Sequence, residues 1–407
     1  MNIWLVTIGE PVPVEENKLR LHRTGILFEY LYSNPKNNIV WWTSNFNHFL
    51  KKPFSDKKEI LINENVNIKL IKSPGYYKNV SIRRFYDHLI LALRFFRKIK
   101  IETKPDIIVC SFPTIFLSFF SVLYAKKNKI PILIDFRDDW PDIFLDFLPK
   151  KLKFLGKLFF LPHFVITKFV FKNTTGIVSI TEEFLKIGLG KAKRNISEFD
   201  KYFPLGYKKL EILNEYNGKL KKFPLDDQKI NLCFIGTLGK SFDLETVIQA
   251  FNSGKLNDYR LFICGDGDNK LYLQNKVISD NIYFTDYINA EEIKYILSKC
   301  QIGVCPYIPK NDFLNSIPGK AIEYMSEGLF IISSLGNGIL GELIIKNKIG
   351  VNYNSKETFI TQLKSLKERQ NSRDTIVEFF EKNFDSKTVY KNYNDHIKFV
   401  LNNCSLN

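Results

Sequence analysis

The sequence predicts an α/β protein built from two Rossmann-like domains, each with a parallel sheet. Short apolar runs alternate with amphipathic stretches along most of the 407 residues, which is the pattern of parallel strands covered by helices. The series runs through the first half of the chain and begins again near Ile230. A chain of this length is long enough for two hydrophobic cores. We therefore expect two domains, joined by the polar, Lys-rich segment 206–228.

The individual strands are predicted where β-branched and aromatic residues cluster. In the first half they cover residues 2–8, 38–43, 66–71, 107–110, 130–136 and 176–180, and in the second half residues 230–235, 259–264, 282–284, 302–304, 330–333 and 350–351. A helix is predicted over residues 19–32. The uncharged stretch 107–125 has the length of a membrane-spanning helix. Pro113 and several serines interrupt it, so a strand, a turn and a buried helix are expected there instead.

Composition indicates a globular protein whose thiols are reduced. The chain is 45% hydrophobic and 25% charged, which is ordinary for a soluble domain. Its six cysteines are scattered without a CxxC pair, so neither a disulfide framework nor a zinc site is expected. The first residues lack the basic segment and long apolar run of a signal peptide.

The positive charge is confined to the first half of the chain. Residues 1–210 contain 35 Lys and Arg against 19 Asp and Glu, an excess that equals the net charge of +16 for the whole chain. No zinc finger, RNA-recognition motif or basic zipper is present, so a nucleic-acid partner is not expected. An anionic membrane surface or a phosphate-bearing ligand is the favoured partner.

Two segments of this basic half, 83–100 and 149–172, interleave Lys and Arg with large apolar residues. Such a segment is either an interfacial helix on anionic lipid or an ordinary amphipathic helix with its apolar face in the core. The occurrence of both in the half that carries the charge favours contact with a membrane.

In the second half, the stretch from Asn315 to Glu323 has the pattern of a phosphate site. A turn containing Ser316 and Pro318 opens a helix at Gly319, a Lys follows in the first turn, and a Glu follows one turn later. The N-terminus of a helix attracts phosphate, and a carboxylate one turn on can hold a sugar hydroxyl. The pattern indicates an enzyme that uses a nucleotide-sugar.

A second turn of this kind follows the strand predicted at 230–235. The chain continues through Gly236, Gly239 and Lys240 before a helix near Asp243. Glycine lets a ligand approach the backbone, and the Lys is placed to bind a diphosphate. The alternative is a tight turn with a surface Lys. A further pair, Asp266 and Asp268, resembles a metal-binding D-x-D, but Asp is also favoured in turns, and no metal is expected.

An acidic cluster lies at the end of the strand predicted at 130–136. Asp135, Arg137 and Asp138 lie at its carboxyl end, where open α/β sheets place their ligands. The Arg can keep one carboxylate ionised and leave another to act as a base or hydroxyl acceptor. The alternative is a helix N-cap with acids in the first turn. Gly9 follows the first strand and either lines the same site or forms a plain βα loop. Four histidines without metal spacing are interpreted as surface or capping residues: His48, His88, His163 and His396.

Six motifs spread over nearly the whole chain carry a family resemblance: IGEPVP at 8–13, WWTS at 41–44, YYKNVS at 76–81, DFRDDWPD at 135–142, FIGTLGKS at 234–241 and SIPGKAIEY at 316–324. They resemble the family 4 retaining glycosyltransferases of the GT-B fold, and most closely the bacterial members that build O-antigen (lipopolysaccharide) and capsular polysaccharide, including N-acetyl-L-fucosamine transferases. The resemblance implies an acceptor- and membrane-facing domain at 1–207, a nucleotide-sugar-binding domain at 208–384, and a helix at 385–407 that returns to the first domain. It also implies that the two sheets face each other across an interdomain cleft.

The resemblance assigns roles to residues of this chain. It implies catalytic roles for Asp138, Lys240 and Glu323. Residues expected to bind the donor are Gly9, Gly236, Gly239, Lys240, Asn315, Ser316, Gly319, Lys320 and Glu323, and those expected on the acceptor side are Lys78, Arg83, Arg84, Asp135 and Arg137. Three positions depart from the family pattern: Asn315 replaces the first Glu of its E-x7-E motif, Thr237 replaces its Arg, and Arg137 replaces its His.

The implied activity is metal-independent transfer, with retention, of a UDP-linked N-acetyl-6-deoxyhexosamine to a saccharide on undecaprenyl pyrophosphate. The expected location is the inner face of the bacterial inner membrane, where the protein would bind peripherally. Two alternatives are a UDP-sugar 2-epimerase or hydrolase on the same scaffold and a non-catalytic nucleotide-sugar-binding protein. The basic, aromatic first half argues against the epimerase, whereas Asn315 leaves the binding protein open.

Overall fold

The computed structural model of the protein describes residues 1–13, 20–146, 148–209, 216–225, 228–366 and 373–404. The chain divides into two compact units, one formed by Met1–Gly206 with Val389–Asn407 and the other by Tyr207–Thr388. Each unit is built on its own sheet with helices between successive strands. The predicted fold class, two Rossmann-like domains with parallel sheets, is confirmed. Of the predicted linker, residues 210–215 and 226–227 lie outside the described residues.

In its described part, the first unit contains an eight-stranded sheet in the order β10-β9-β8-β7-β1-β2-β6-β5. All neighbouring strands are parallel except β5 and β6, which are antiparallel, and β3 and β4 form a separate hairpin. The strands are β1 (Asn2–Val6), β2 (Asn38–Ser44), β3 (Phe46–Asn47), β4 (Lys52–Pro53), β5 (Glu59–Asn63), β6 (Val66–Ile71), β7 (Ile107–Phe112), β8 (Ile132–Phe136), β9 (Gly176–Ser179) and β10 (Lys201–Tyr202).

The helices of the first unit cover both faces of this sheet, and a separate core cluster lies on each side. They are α1 (Arg23–Tyr32), α2 (Ile82–Lys98), α3 (Ile115–Asn128), α4 (Asp142–Asp146), α5 (Lys153–Phe159), α6 (Leu161–Asn173) and α7 (Glu182–Ala192). The uncharged stretch 107–125 is a strand, a turn and a mostly buried helix, as predicted.

Helix α1 begins four residues later than the sequence predicts. The predicted start, Leu19, lies outside the described residues, and His22 still has an extended backbone. The carboxylate of Glu10 accepts a hydrogen bond from the backbone N–H of Thr24 at 2.9 Å. This remote carboxylate satisfies an N–H that has no partner within the helix, so it helps to fix where the helix begins.

The second unit contains a six-stranded parallel sheet, in its described residues, with the order β13-β12-β11-β14-β15-β16. Its strands are β11 (Ile230–Ile235), β12 (Tyr259–Cys264), β13 (Ile282–Asp286), β14 (Ile302–Cys305), β15 (Phe330–Ser333) and β16 (Gly350–Asn352). Its helices are α8 (Leu244–Asn252), α9 (Lys270–Gln274), α10 (Ala290–Lys299), α11 (Asn311–Leu314), α12 (Gly319–Ser326), α13 (Ile339–Lys346), α14 (Lys356–Leu366) and α15 (Arg373–Asn383).

A last helix, α16 (Ser386–Cys404), follows the second unit. From Val389 onward it belongs to the first unit. Its Tyr390, Tyr393 and Ile397 are buried in the core cluster that also contains Ile3 and Leu5 of β1. The six cysteines all have free thiols and five of them are buried, as predicted.

Candidate functional site

The strand ends of β11 and β12 in the second unit are joined backbone to backbone through glycines. Gly236 has φ +150° and Gly265 has φ +145°, both in a region that favours glycine. A Cβ added to Gly265 would lie only 1.9 Å from the carbonyl oxygen of Gly236. Because no larger residue fits, the two turns expose bare backbone at the carboxyl edge of the sheet, where α/β domains bind their ligands.

Lys320, in the first turn of α12, lies across this backbone. A Cβ on Gly236 would be 2.0 Å from the Nζ atom of Lys320. The same ammonium group lies over the rings of Phe242 and Phe234, with 5.0 and 5.5 Å from Nζ to the ring centroids, within the range of cation–π attraction. Burial lowers the pKa of Lys320, and the charge of Glu323 opposes that shift. The site therefore holds a partly desolvated cation at the glycine turn.

Glu323 lies one turn further along α12 and is only 6% exposed. Its Oε1 atom accepts a hydrogen bond from the hydroxyl of Tyr207 at 2.8 Å. A carboxylate at this position, oriented by the Tyr207 hydroxyl, is suited to accept hydrogen bonds from a vicinal diol.

Tyr324 fixes α12 to the sheet, a link that sequence reasoning missed. Its hydroxyl accepts a hydrogen bond from the backbone N–H of Ile235 at 3.0 Å. Its ring covers Gly303 of β14, where an added Cβ would lie 2.2 Å from the ring. Ile235 directly precedes Gly236, so one side chain sets the position of the Lys320 helix relative to the glycine turn. The glycine in an otherwise apolar strand was the available signal, since it marks a close approach.

The other predicted donor residues of the second unit lie in the loop after β11 and around the start of α12. Lys240 is exposed in the loop after Gly236, and space is open around Gly239 and Gly319. Asn315 and Ser316 are half-buried between α11 and α12. The first N–H groups of a helix have no partner within the helix, and at α12 no side chain caps them. The second unit therefore brings together Gly236, Lys320 and Glu323, whereas Gly9 belongs to the first unit.

In the first unit, Asp135 is an internal brace. It is 0% exposed, and its two oxygens accept from Nε of Arg23 at 3.1 and 3.0 Å and from Nη2 of Arg137 at 2.6 Å. Burial alone would raise the pKa of Asp135, but the two guanidinium groups outweigh it and hold the pKa below its usual range. The predicted acceptor-side role of Asp135 is therefore corrected, because no acceptor can reach a buried carboxylate whose oxygens are taken.

Arg137 belongs to the same brace. Besides Asp135, its guanidinium contacts the carboxylate of Glu10 and donates to the hydroxyl of Thr24 at 2.8 Å. Its polar atoms are thus engaged within the unit, which argues against the direct acceptor contact that was expected for it. Arg23 and Glu10 were not predicted to participate, since they lie more than 100 residues from Asp135 and Arg137 respectively.

Asp138 is the exposed carboxylate of the acidic cluster. Its side chain reaches solvent and, among the described residues, has no ion-pair partner within 4.0 Å. Burial of the surrounding region raises the pKa of Asp138, while Arg137 and Arg84 oppose the shift. The neighbouring Asp139 forms an ion pair with Lys191, with 2.7 Å between Oδ1 and Nζ. Asp135 is therefore held by two guanidinium groups, whereas Asp138 is exposed.

A cation cluster lies in the same unit around the ring of Tyr76. The guanidinium of Arg84 lies 5.5 Å from the centroid of Tyr76 and 4.7 Å from that of Trp140. Nζ of Lys51 lies 4.9 Å from the Tyr76 centroid, and Nδ1 of His48 is 2.5 Å from the Tyr76 hydroxyl. Burial, Lys51 and Arg84 lower the pKa of His48 to about 4. His48 is therefore neutral at pH 7, and the positive charge of the cluster belongs to Lys51 and Arg84.

The interpretation of His88 and His396 as surface or capping residues is wrong, because both are buried; His48 is half-buried. His88 is buried and stacks on Trp140 with 6.0 Å between ring centroids, and burial with the charge of Arg84 lowers its pKa to about 3. Gly9 lies against His48, with 3.9 Å from an added Cβ to the Cβ of His48. Of the other predicted acceptor-side residues, Lys78 and Arg83 are exposed nearby in sequence, and Arg83 donates to the carbonyl of Gly75 at 2.9 Å.

Two Rossmann-like domains with parallel sheets are the architecture of the GT-B fold. Residues 217–382 match the family model described as glycosyl transferases group 1. This region covers most of the second unit, which is therefore a glycosyltransferase group 1 domain. Its limits include β11, the glycine turns and the whole of α12.

Among relatives, the chain is 27% identical over 274 residues to an uncharacterized glycosyltransferase of Methanocaldococcus jannaschii, a match that covers 63% of this chain and 66% of that protein. The match thus spans slightly less than two thirds of the relative's length. Among solved structures, it resembles a sucrose-phosphate synthase from Thermosynechococcus elongatus with a TM-score of 0.72 and 12% identity, over 98% of both chains.

Two further solved structures share the fold over 98% of this chain and 99% of theirs. Anabaena HepE in complex with UDP has a TM-score of 0.62 and 9% identity. The lipopolysaccharide outer core galactosyltransferase WaaB in its apo form has a TM-score of 0.62 and 18% identity. At these identities the likeness shows the GT-B fold alone.

Proposed function

We propose that the protein transfers a sugar, with retention, from a nucleotide-sugar to a lipid-linked saccharide during assembly of a surface polysaccharide. The observation that carries the proposal is the fixed arrangement of Gly236, Lys320 and Glu323 in a glycosyltransferase group 1 domain. The donor proposed from the sequence resemblance is a UDP-linked N-acetyl-6-deoxyhexosamine. HepE, which shares the fold, has been solved in complex with UDP, and this supports the choice of a UDP-linked donor.

On the donor side, the departing diphosphate gains negative charge as the sugar–phosphate bond breaks. Lys320, Lys240 and the first N–H groups of α12 are the groups that stabilise this charge in the proposed mechanism. Fixed donors of this kind act without reorganisation at the moment of reaction. Glu323, oriented by Tyr207, accepts hydrogen bonds from the ribose hydroxyls. Asn315 contacts the sugar with an amide, so it can donate as well as accept.

On the acceptor side, Asp138 orients or deprotonates the attacking hydroxyl. The cation cluster of Lys51 and Arg84, with Lys78 and Arg83 exposed on the same segment, suits the pyrophosphate that links a saccharide to its lipid. In this mechanism protein cations and helix amides take the place of a metal ion. A lipid-linked acceptor requires the protein to work peripherally at a membrane, with no part for nucleic acid.

The proposal is tested with a donor screen followed by a turnover assay. We expect UDP-sugars to raise the melting temperature more than GDP- or dTDP-sugars, and Glu323→Gln to abolish most of that rise. Release of UDP should then require a lipid-linked acceptor. Release of UDP without acceptor would instead identify an epimerase or hydrolase, and donor binding without any release would identify a binding protein. Either result would remove the proposed transfer reaction.

We expect Asp138→Asn to lower the transfer rate about 10²-fold while leaving the donor-induced rise in melting temperature unchanged. Removing a general base, or the group that orients a nucleophile, typically costs 10²–10⁴-fold in rate. Because burial raises the pKa of Asp138, the wild-type rate should fall on the acid side at a pH above that of an ordinary Asp. Asp56→Asn, at an exposed carboxylate outside the site, is the matched control. Full activity of Asp138→Asn would exclude Asp138 from the reaction.

A further inference from the structure

Helix α5 presents an apolar face to solvent. Phe154, Leu155, Leu158 and Phe159 are 75%, 58%, 61% and 64% exposed. They form two i,i+4 pairs and therefore share one side of the helix. A surface helix normally turns such a side towards the core. Their exposure reverses the usual arrangement and needs an explanation beyond the fold of the unit.

The opposite side of α5 shows why the apolar face points outward. Gly156 is the one buried residue of this helix. A Cβ added there would lie 2.4 Å from Leu148 and 2.9 Å from Leu145. The helix is thus held to the unit by close backbone contact along its smallest side, and its four large side chains have no place in the core.

The exposed surface continues onto the neighbouring elements. Leu161 and Val165 are exposed on α6, and four apolar residues are exposed at the start of α2 and in the loop before it. These elements are neighbours in the unit, because the ring of Phe85 on α2 lies 5.8 Å from that of Phe160 and 5.2 Å from that of His163. We call the whole surface the apolar patch, and its residues are Tyr77, Val80, Ile82, Tyr86, Leu152, Phe154, Leu155, Leu158, Phe159, Leu161 and Val165.

Positive charge borders the apolar patch, and most of it has no acid in the same stretch of chain. The stretch 149–173 contains no Asp or Glu and six lysines: Lys150, Lys151, Lys153, Lys157, Lys168 and Lys172. Lys153 pairs with Asp146 at 3.0 Å, and the other five are exposed. Large apolar residues flanked by exposed Lys suit an anionic bilayer, because the acyl chains accept the apolar side chains and the anionic headgroups attract the lysines.

The geometry fits a helix pair that lies on a membrane. Among the described residues, no single helix has both the length and the apolar content to cross a bilayer, although the helical segments 150–159 and 161–173 would suffice together. These two segments are bent by 67° relative to each other. The second of them also has buried residues that pack in the core of the unit, including Val170 and Phe171. The pair is therefore better suited to the interface than to the interior of a bilayer.

We propose that the apolar patch inserts into the headgroup region of an anionic bilayer and docks the first unit there. Segment 76–84 connects this surface to the cation cluster: Arg84 lies between Tyr76 and Trp140, while Val80 and Ile82 are exposed. Docking would thus place the cation cluster next to the headgroups. That docking helps the cation cluster to reach a lipid-linked acceptor rests on the proposed function. The affinity of the apolar patch for an anionic bilayer does not depend on it.

The test is co-sedimentation of the full chain with vesicles of phosphatidylcholine containing about one third phosphatidylglycerol, at low salt. Changing Phe154, Leu155, Leu158 and Phe159 together to Ser should lower the partition coefficient at least tenfold. Changing Lys150, Lys151 and Lys157 together to Gln should lower it by about 100-fold, since each Lys near an anionic surface contributes about fivefold. The matched control changes Leu271 and Ile278, which are 73% and 82% exposed in the second unit, to Ser and should leave binding unchanged.

Three outcomes would overturn the proposal. The first is that the wild-type chain does not sediment with these vesicles, and the second is that the serine variant binds them as well as wild type does. The third is that the serine change converts a dimer to a monomer in light scattering without changing the partition coefficient. The last result would assign the apolar patch to a second copy of the chain. The donor-induced rise in melting temperature is measured on every variant, so that loss of folding or of the donor site is distinguished from loss of docking.

Discussion

Replacement of Lys320 by Ala should lower the turnover number by about 10²–10³-fold with a smaller change in KM. A preorganised charge that acts on the leaving group contributes on this scale to the rate. The Lys320 ammonium is held over Gly236 and between two aromatic rings, so water cannot easily replace it. The measurement is the steady-state rate of UDP release in the presence of acceptor, together with the melting temperature to show that the variant is folded.

Two companion variants make this result specific. Lys240→Ala should lose activity on a similar scale, as the sequence predicts, because the exposed Lys240 binds the same diphosphate in the proposed mechanism. Lys255→Ala, at an exposed position after α8, should behave as wild type. Near-wild-type transfer by both Lys240→Ala and Lys320→Ala would rule out the diphosphate site at the glycine turn.

Arg23→Ala should destabilise the protein by about 3–5 kcal/mol, which is the usual consequence of removing one partner of a buried ion pair. Arg23 and Asp135 are both almost inaccessible, with side-chain exposures of 2% and 0%. The substitution also removes the hydrogen bonds from Arg23 to the carbonyls of Phe203 and Pro204, both 2.8 Å long. Equilibrium unfolding in urea measures the loss. Lys186→Ala, which breaks an exposed pair with Glu182, is the control and should leave the unfolding midpoint unchanged.

The pH dependence of this brace gives an independent check. Because the pKa of Asp135 is lower in the folded chain than in the unfolded chain, its ionisation stabilises the fold above the ordinary Asp pKa of about 3.9. That contribution is lost as the pH falls through the folded-state pKa. The difference in unfolding free energy between wild type and Asp135→Asn should therefore be constant near neutrality and shrink below about pH 4. A constant difference down to lower pH would contradict the assignment.

The core strands could be predicted because parallel strands are buried on both faces, and their apolar runs are continuous. The run predicted at 107–110, for example, lies within β7, all of whose residues are buried. The strand Glu59–Asn63 was missed because it lies at the sheet edge and alternates exposed with half-buried residues. Lys201–Tyr202 is too short and too exposed to give any signal.

The candidate site divides along similar lines. Gly236, Lys320 and Glu323 could be found because turn residues, a helix start and a one-turn spacing are local patterns. The hydrogen bond from Ile235 to Tyr324 spans 89 residues and that from Arg23 to Asp135 spans 112, so neither leaves a local trace. The environment of His88 likewise depends on Trp140, which reaches it only through the fold.

The return of α16 to the first unit has a consequence for synthesis. The ribosome releases residues 1–206 first, but Tyr390, Tyr393 and Ile397 complete the core cluster around Ile3 and Leu5. Until those residues emerge, one apolar side of the first sheet has only part of its cover, including Leu27 and Phe28 of α1. The second unit, in contrast, is continuous in sequence. The unit that is translated first is thus the last to be finished, and during that interval its incomplete core exposes apolar surface of the kind that promotes aggregation.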